Sequence, residues 1–137
     1  MKIPDTSLPK PKRRKKTPRK IIKDRLEKLS KRIVYLRDDY TCQKCGKRDG
    51  RDYQASHVIP VSAGNKLAWE PLNMKVLCHH CHLNWWHKNP MEAAAWFSEA
   101  FPDRWEYLQR NRGIKKFTLT ELEELEESLK GQLDGME

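Results

Sequence analysis

The sequence predicts an α+β fold: a small strand–loop–strand–helix module built around two cysteine pairs, with α-helices on both sides. Three observations predict it. The four cysteines, the only ones in the chain, fall as two C-x-x-C pairs, Cys42/Cys45 and Cys78/Cys81. Between the pairs lie two apolar runs bounded by turn residues and short enough for strands. Upstream of Tyr40 and downstream of Asn89, apolar residues recur at the three- and four-residue steps of amphipathic helices instead.

Two residues between ligands make a tight turn that aims both sulfurs at one tetrahedral ion, at about 2.3 Å each. Two such pairs close a four-sulfur shell with no position open for catalysis, so the expected ion is a structural Zn2+. Disulfides or unrelated buried thiols are the alternatives, and the absence of a secretory signal argues against disulfides. With 37% hydrophobic and 34% charged residues, the chain lacks material for a large apolar core, and a small module of this kind needs a staple. No run approaches the roughly 18 apolar residues of a membrane span, so a soluble, cytoplasmic protein that is not secreted is expected.

Each element has its own justification. Residues 1–20, rich in proline and carrying the run Lys12-Arg13-Arg14-Lys15-Lys16, read as a disordered basic arm that contacts phosphates or serves as an address. Residues 21–39 form an amphipathic helix whose stripe is Ile22, Leu26, Leu29, Ile33 and Leu36, expected to pack on the metal module. Residues 40–90 form that module: a knuckle from Tyr40 to Gly46, a strand over Tyr53 to Ile59 stopped by Pro60, a polar loop, a strand over Lys75 to Leu77, and a helix starting near His79 to Cys81. Residues 91–113 form a helical extension, entered at Asn89-Pro90-Met91-Glu92 with Asn89 as N-cap and broken at Phe101-Pro102. Residues 114–137 hold an acidic helix expected to begin at the capping box Thr120-x-x-Glu123 and to close at Gly131. The five tryptophans read mainly as packing, except one of the adjacent Trp85 and Trp86, which cannot both face inward along an α-helix.

Charge is unevenly spread. The net charge is +9, with +8 in residues 1–20 and −6 in residues 121–137, so the centre carries +7. An ordered region that is basic without its tail points to a polyanionic partner, DNA. The acidic last helix offers a surface for a protein partner.

Ser56-His57-Val58-Ile59-Pro60, then Glu70-Pro71-Leu72-Asn73, then Cys81-His82, interleaved with the cysteine pairs, resemble the HNH endonucleases, the zinc-containing branch of the ββα-metal nucleases. The resemblance covers about Tyr40 to Pro90 and extends on both sides to phage recombination nucleases of the Rap (NinG) kind. It implies a ββα-metal module, phosphodiester hydrolysis leaving 5′-phosphate and 3′-hydroxyl ends, and a role in phage DNA recombination or processing. It assigns His57 as general base, a role suited to imidazole, which ordinarily titrates near neutrality. It assigns His82 to a catalytic divalent cation, Mg2+ or another, that compensates phosphate charge and stabilises the leaving oxygen. It assigns Asn73 to tying the loop that holds the base.

One position departs from the family pattern. Many members carry Asp or His just before the catalytic histidine as a second metal ligand, and here Ser56 stands there, a poor ligand. His87 is an imperfect substitute, since five residues of α-helix place it about 140° around the axis from His82. The chief rival function is a non-catalytic, zinc-stabilised nucleic-acid-binding module. An adaptor of the RING or LIM type needs eight ligands in two zinc sites, which the spacing does not supply.

Overall fold

Thr17 accepts a hydrogen bond from the Lys20 backbone N–H, and Pro18 takes the first helical position, where its missing N–H costs nothing. Helix α1 therefore runs over Pro18–Arg37, three residues earlier than the apolar stripe alone indicates. The computed structural model describes residues 4, 7–48 and 52–137. Part of the basic arm expected over residues 1–20 lies outside them, and positions 7–17 carry neither helix nor strand.

At the centre lies an antiparallel ribbon of β1 (Gln54–His57) and β2 (Met74–Leu77), paired Gln54 with Leu77, Ala55 with Val76, Ser56 with Lys75 and His57 with Met74. Every β2 residue is buried, because both faces of the ribbon are covered. Val34 and Tyr35 of α1 pack with Ala55, Met74 and Val76 on one face. After β2 the chain makes a π-helical turn over His80–Trp86, then helices α2 (Pro90–Ala100) and α3 (Pro102–Asn111). Phe97 and Leu108 of these helices join Val58, Ile59 and Leu67 in a second cluster rimmed by Trp86, Trp96 and Trp105. Asn89 precedes α2 without making the expected side-chain cap bond.

Helix α4 covers Leu119–Asp134, and its capping box is Thr118 with Glu121 rather than Thr120 with Glu123. Both threonines satisfy the same local pattern, and the helix continues past Gly131. Along α1 and α4, Arg19 donates to the Phe117 carbonyl, Arg25 pairs with Glu126 and Arg32 with Glu137, so the two helices run parallel. Their stripes meet: Ile22, Leu26 and Ile33 bury against Leu122 and Leu129. The stripe expected to dock on the metal module is thus occupied mainly by α4, and only the last turns of α1 reach the ribbon.

Leu26 is fully buried in this helix pair. Leu26→Ala should lower the free energy of unfolding by about 2–5 kcal/mol, read from denaturant melts. A change within about 0.5 kcal/mol, the scale of surface substitutions, would show that α1 and α4 do not pack in solution.

Candidate metal centre and active site

The four cysteine sulfurs all lie within 4.8 Å of one another. Gly46, with φ +77, lets the first turn fold back so that its N–H reaches the Cys42 carbonyl at 2.9 Å. Gln43 N–H donates to the Val76 carbonyl at 2.9 Å, which fastens this turn to β2. Cys45 and Cys78 place their sulfurs 3.7 Å apart. Two sulfurs each about 2.3 Å from a tetrahedral ion lie about 3.8 Å apart, so the cluster fits zinc. Burial pushes the Cys42 thiol up, but backbone N–H groups of Cys45, Cys78 and Lys44 outweigh it and bring the pKa down to about 7. That favours the thiolate at Cys42, the form that ligates metal. Burial and the neighbouring sulfurs instead push the Cys45 and Cys81 thiols up, so metal binding there must displace protons.

At the other end of the ribbon, His57 closes β1. Its Nε2 lies 2.9 Å from the Ala68 carbonyl. A carbonyl only accepts, so Nε2 carries a proton, and in the neutral ring the lone pair is on Nδ1. Asn73 is buried beside it. Its Oδ1 accepts from Ile59 N–H at 2.8 Å, and its Nδ2 donates to the carbonyls of Ile59 and Leu67 at 3.0 and 3.1 Å. One amide thereby ties the end of β1 to the loop carrying Ala68.

The π turn settles where His87 points. An α-helix would carry His87 to the far side of His82, but here the His87 N–H donates to the His82 carbonyl at 3.1 Å, the i→i+5 bond of a π turn. Residues five apart then share a face, and the two Nε2 atoms lie 2.9 Å apart. At this distance one ring donates a hydrogen bond to the other. Two ligand atoms each about 2.1 Å from one ion at a right angle are also about 3.0 Å apart, so the pair could hold a cation in place of that proton. Burial, then the neighbouring His87, Lys75 and His79, hold the His82 pKa down to about 4, which keeps its imidazole neutral and ligand-competent at neutral pH. The wider turn also lets both tryptophans pack: Trp85 meets Trp96 edge to face at 5.3 Å, and Trp86 joins the core clusters.

Ser56, His57, His82 and His87 line one cleft of about 550 Å³, whose lining also includes Arg112 and the ion pair of Lys31 with Glu27. His79 and His80 are outside it, and His80 is exposed. Lys12, Arg13, Arg14 and Lys15 are exposed, Lys16 pairs with Asp24 at 2.7 Å, and none of the five lines this cleft.

Lys75 is the residue that pattern reading missed. It is fully buried, and its Nζ donates to the Ser56 hydroxyl at 3.3 Å and the His57 carbonyl at 3.4 Å. The same Nζ sits 3.1 Å from the centroid of the Trp86 ring. Burial, then the Arg104 charge, push its pKa well below the ordinary lysine value. The Ser56 hydroxyl is therefore engaged by Lys75 from beneath the cleft. A lysine in a short strand reads as the solvent-facing half of an alternation, and no local signal marks it as buried.

A family model described as bacteriophage lambda NinG protein matches residues 5–137. The chain belongs to the NinG family. Comparison with curated proteins and with solved structures returned no match. The features of this NinG-family chain are thus a four-cysteine cluster able to hold zinc and a histidine cleft beside it, on a mixed helix and two-strand framework. No helix among the described residues is long and apolar enough to cross a membrane.

Purified protein should contain one tightly held zinc per chain. Apparent binding energies for structural zinc in small domains run to about 10–16 kcal/mol, as large as a small domain's own stability. Cys78→Ser should therefore unfold the module, seen as lost chemical-shift dispersion. Folded protein with no zinc by elemental analysis would refute the assignment.

Proposed function

We propose that the chain is a metal-dependent DNA endonuclease of the HNH type, acting in phage DNA recombination or processing. The observation that carries this reading is the convergence of three imidazoles on one cleft. With Nε2 held by the Ala68 carbonyl, Nδ1 is the nitrogen that the neutral His57 ring offers to a substrate water. His82 and His87 present a pair of Nε2 atoms at cation-binding spacing.

In this reading His57 Nδ1 takes a proton from the attacking water, a contribution of about 10²- to 10⁴-fold in rate. Asn73 and the Ala68 carbonyl keep the ring aimed, and Lys31 and Arg112 offset phosphate charge at the rim. A divalent cation held by His82 and His87 would supply Lewis acidity to the phosphate and stabilise the departing 3′-oxygen. Mn2+, Ni2+ or Zn2+ suits an imidazole pair better than Mg2+, which favours oxygen ligands. His87 takes the part for which Ser56 is unsuited, and the Lys75 amine beneath Ser56 leaves the hydroxyl with a structural task.

A binding module without catalysis is the competing reading, favoured by the absence of an anionic ligand at position 56. Plasmid nicking with added Mn2+ or Mg2+ separates the two. His57→Ala should lower cleavage by about 10²- to 10⁴-fold with DNA affinity kept within a few-fold. His82→Ala and His87→Ala should each raise the metal concentration for half-maximal activity. Wild-type cleavage by His57→Ala, or no nicking by the native protein with any of these ions, would give the binding module the better claim.

A further inference from the structure

Helix α1 carries two stripes, and only one is used by the fold. The apolar stripe of Ile22, Leu26 and Ile33 is buried against α4. The second stripe, Lys20, Lys23, Glu27 and Lys31, steps by three, four and four residues, so these side chains share a face, and Lys16, just before the helix, reaches back to Asp24. That face is not a merely solvated one. Lys20, Lys23 and Lys31 line a groove of about 270 Å³ together with Asp24, Glu27, His57, Ala68 and Trp69, so three ammonium groups there outnumber two carboxylates. Lys31 and His57 also line the larger histidine cleft, so groove and cleft adjoin at these residues. Lys16 and Lys31 border a third depression along α1.

The charges along this path are arranged for exchange. Asp24 receives Lys16 and Lys20 at 2.7 and 2.8 Å, and Glu27 receives Lys31 at 2.7 Å. These are exposed pairs, which contribute little to stability. Lys23 has no ion-pair partner among the described residues. An arriving phosphate competes with Asp24 and Glu27 for the same ammonium groups, and the repulsion from those two carboxylates is what the lysines outweigh.

From these observations we infer that the lysine face of α1 is a track for the phosphate backbone of the DNA strand that runs into the histidine cleft. The inference deepens the proposed nuclease reading, on which it rests, by naming where the substrate lies outside the cleft. Lys20 to Lys31 span eleven residues, about 16 Å of helix, which corresponds to roughly five nucleotide steps at about 3.4 Å per strand. The partner is a phosphodiester chain because the face offers ammonium groups at spacings along a helix, and contacts to phosphates carry no sequence information. The track is distinct from the arm at Lys12 to Lys15, which precedes the helix.

The test measures DNA binding by fluorescence anisotropy, using full-length protein that carries His57→Ala so that no cleavage intervenes. The probe is a duplex of arbitrary sequence, titrated across a range of salt. In this background Lys20, Lys23 and Lys31 are changed together to Gln, which keeps helix propensity. A control changes Lys47, Lys116 and Lys130 to Gln, the same reduction of charge away from both groove and cleft. Melting curves verify that both triples stay folded. The track triple should bind about tenfold or more weakly than the control triple. Its slope of log K against log salt should be shallower by about 0.9 for each phosphate that is no longer neutralised. Equal affinities and slopes for the two triples would overturn the track and leave only a general effect of charge. Binding is read without cleavage, so this outcome is separate from failure of the nuclease reading, which the nicking assay decides.

Discussion

A ribbon of two four-residue strands is marginal in water by itself, and the site depends on keeping this one from fraying. It is clamped at both ends. Beyond Leu77 the four sulfurs gather the two knuckles, and the Gln43 to Val76 hydrogen bond carries that restraint into the strand. Beyond His57 the buried Asn73 amide makes three hydrogen bonds that close the other end. Residues at the end of α1 and the start of α3 add to the clamp: Arg37 and Arg104 both donate to the Met74 carbonyl, and the Asp38 carboxylate accepts from Val76 N–H. With both ends fixed, the register that sets His57 opposite Met74 cannot slip. A one-residue slip would turn His57 away from the cleft.

The flanking helices are part of the same device. The loop that supplies the Ala68 carbonyl is fastened to the segment between α3 and α4. Asn65 pairs with the Lys115 backbone in both directions, at 2.8 and 2.9 Å, and Gly64 lies against Gly113. A Cβ on Gly64 would fall 2.6 Å from the Gly113 carbonyl oxygen, so glycine is required there. Trp69 packs edge to face on Phe117, 5.5 Å away, and joins the α1–α4 cluster. Packing of α4 on α1 and orientation of the His57 ring therefore belong to one connected structure. The acidic face of α4 remains outward, while its leucines are spent inside the chain.

Much of this was legible from residue types and spacing. The paired cysteines mark the metal cluster, because two residues between thiols permit few other geometries. The first helix follows from periodicity and the strands from short apolar runs between turn residues, whereas the task of Asn73 comes from the family resemblance, since the residue alone reads equally as a turn asparagine. What escaped has a common physical origin: tertiary context overriding local pattern. Thr118 and Thr120 offer equivalent caps, and the local pattern cannot choose between them. The stripe of α1 could meet any apolar surface, and α4 supplied one. Lys75 is buried because α1 and the π turn cover both faces of a ribbon that otherwise would expose one. The π turn itself had the largest consequence, since an α-helical count separates His82 from His87 by most of a half-turn, whereas the wider turn brings them together.

The proposed nuclease chemistry requires a particular protonation pattern of three rings, and that pattern is directly observable. Long-range 1H–15N spectra of the five histidines should show His57 as the Nε2–H tautomer with a bare Nδ1. Adding Zn2+ to protein that already holds its structural zinc should shift the Nε2 resonances of His82 and His87 together while His57 keeps its tautomer. A His57 ring protonated on Nδ1, or a His87 resonance that ignores the metal when His82 responds, would contradict the arrangement described above.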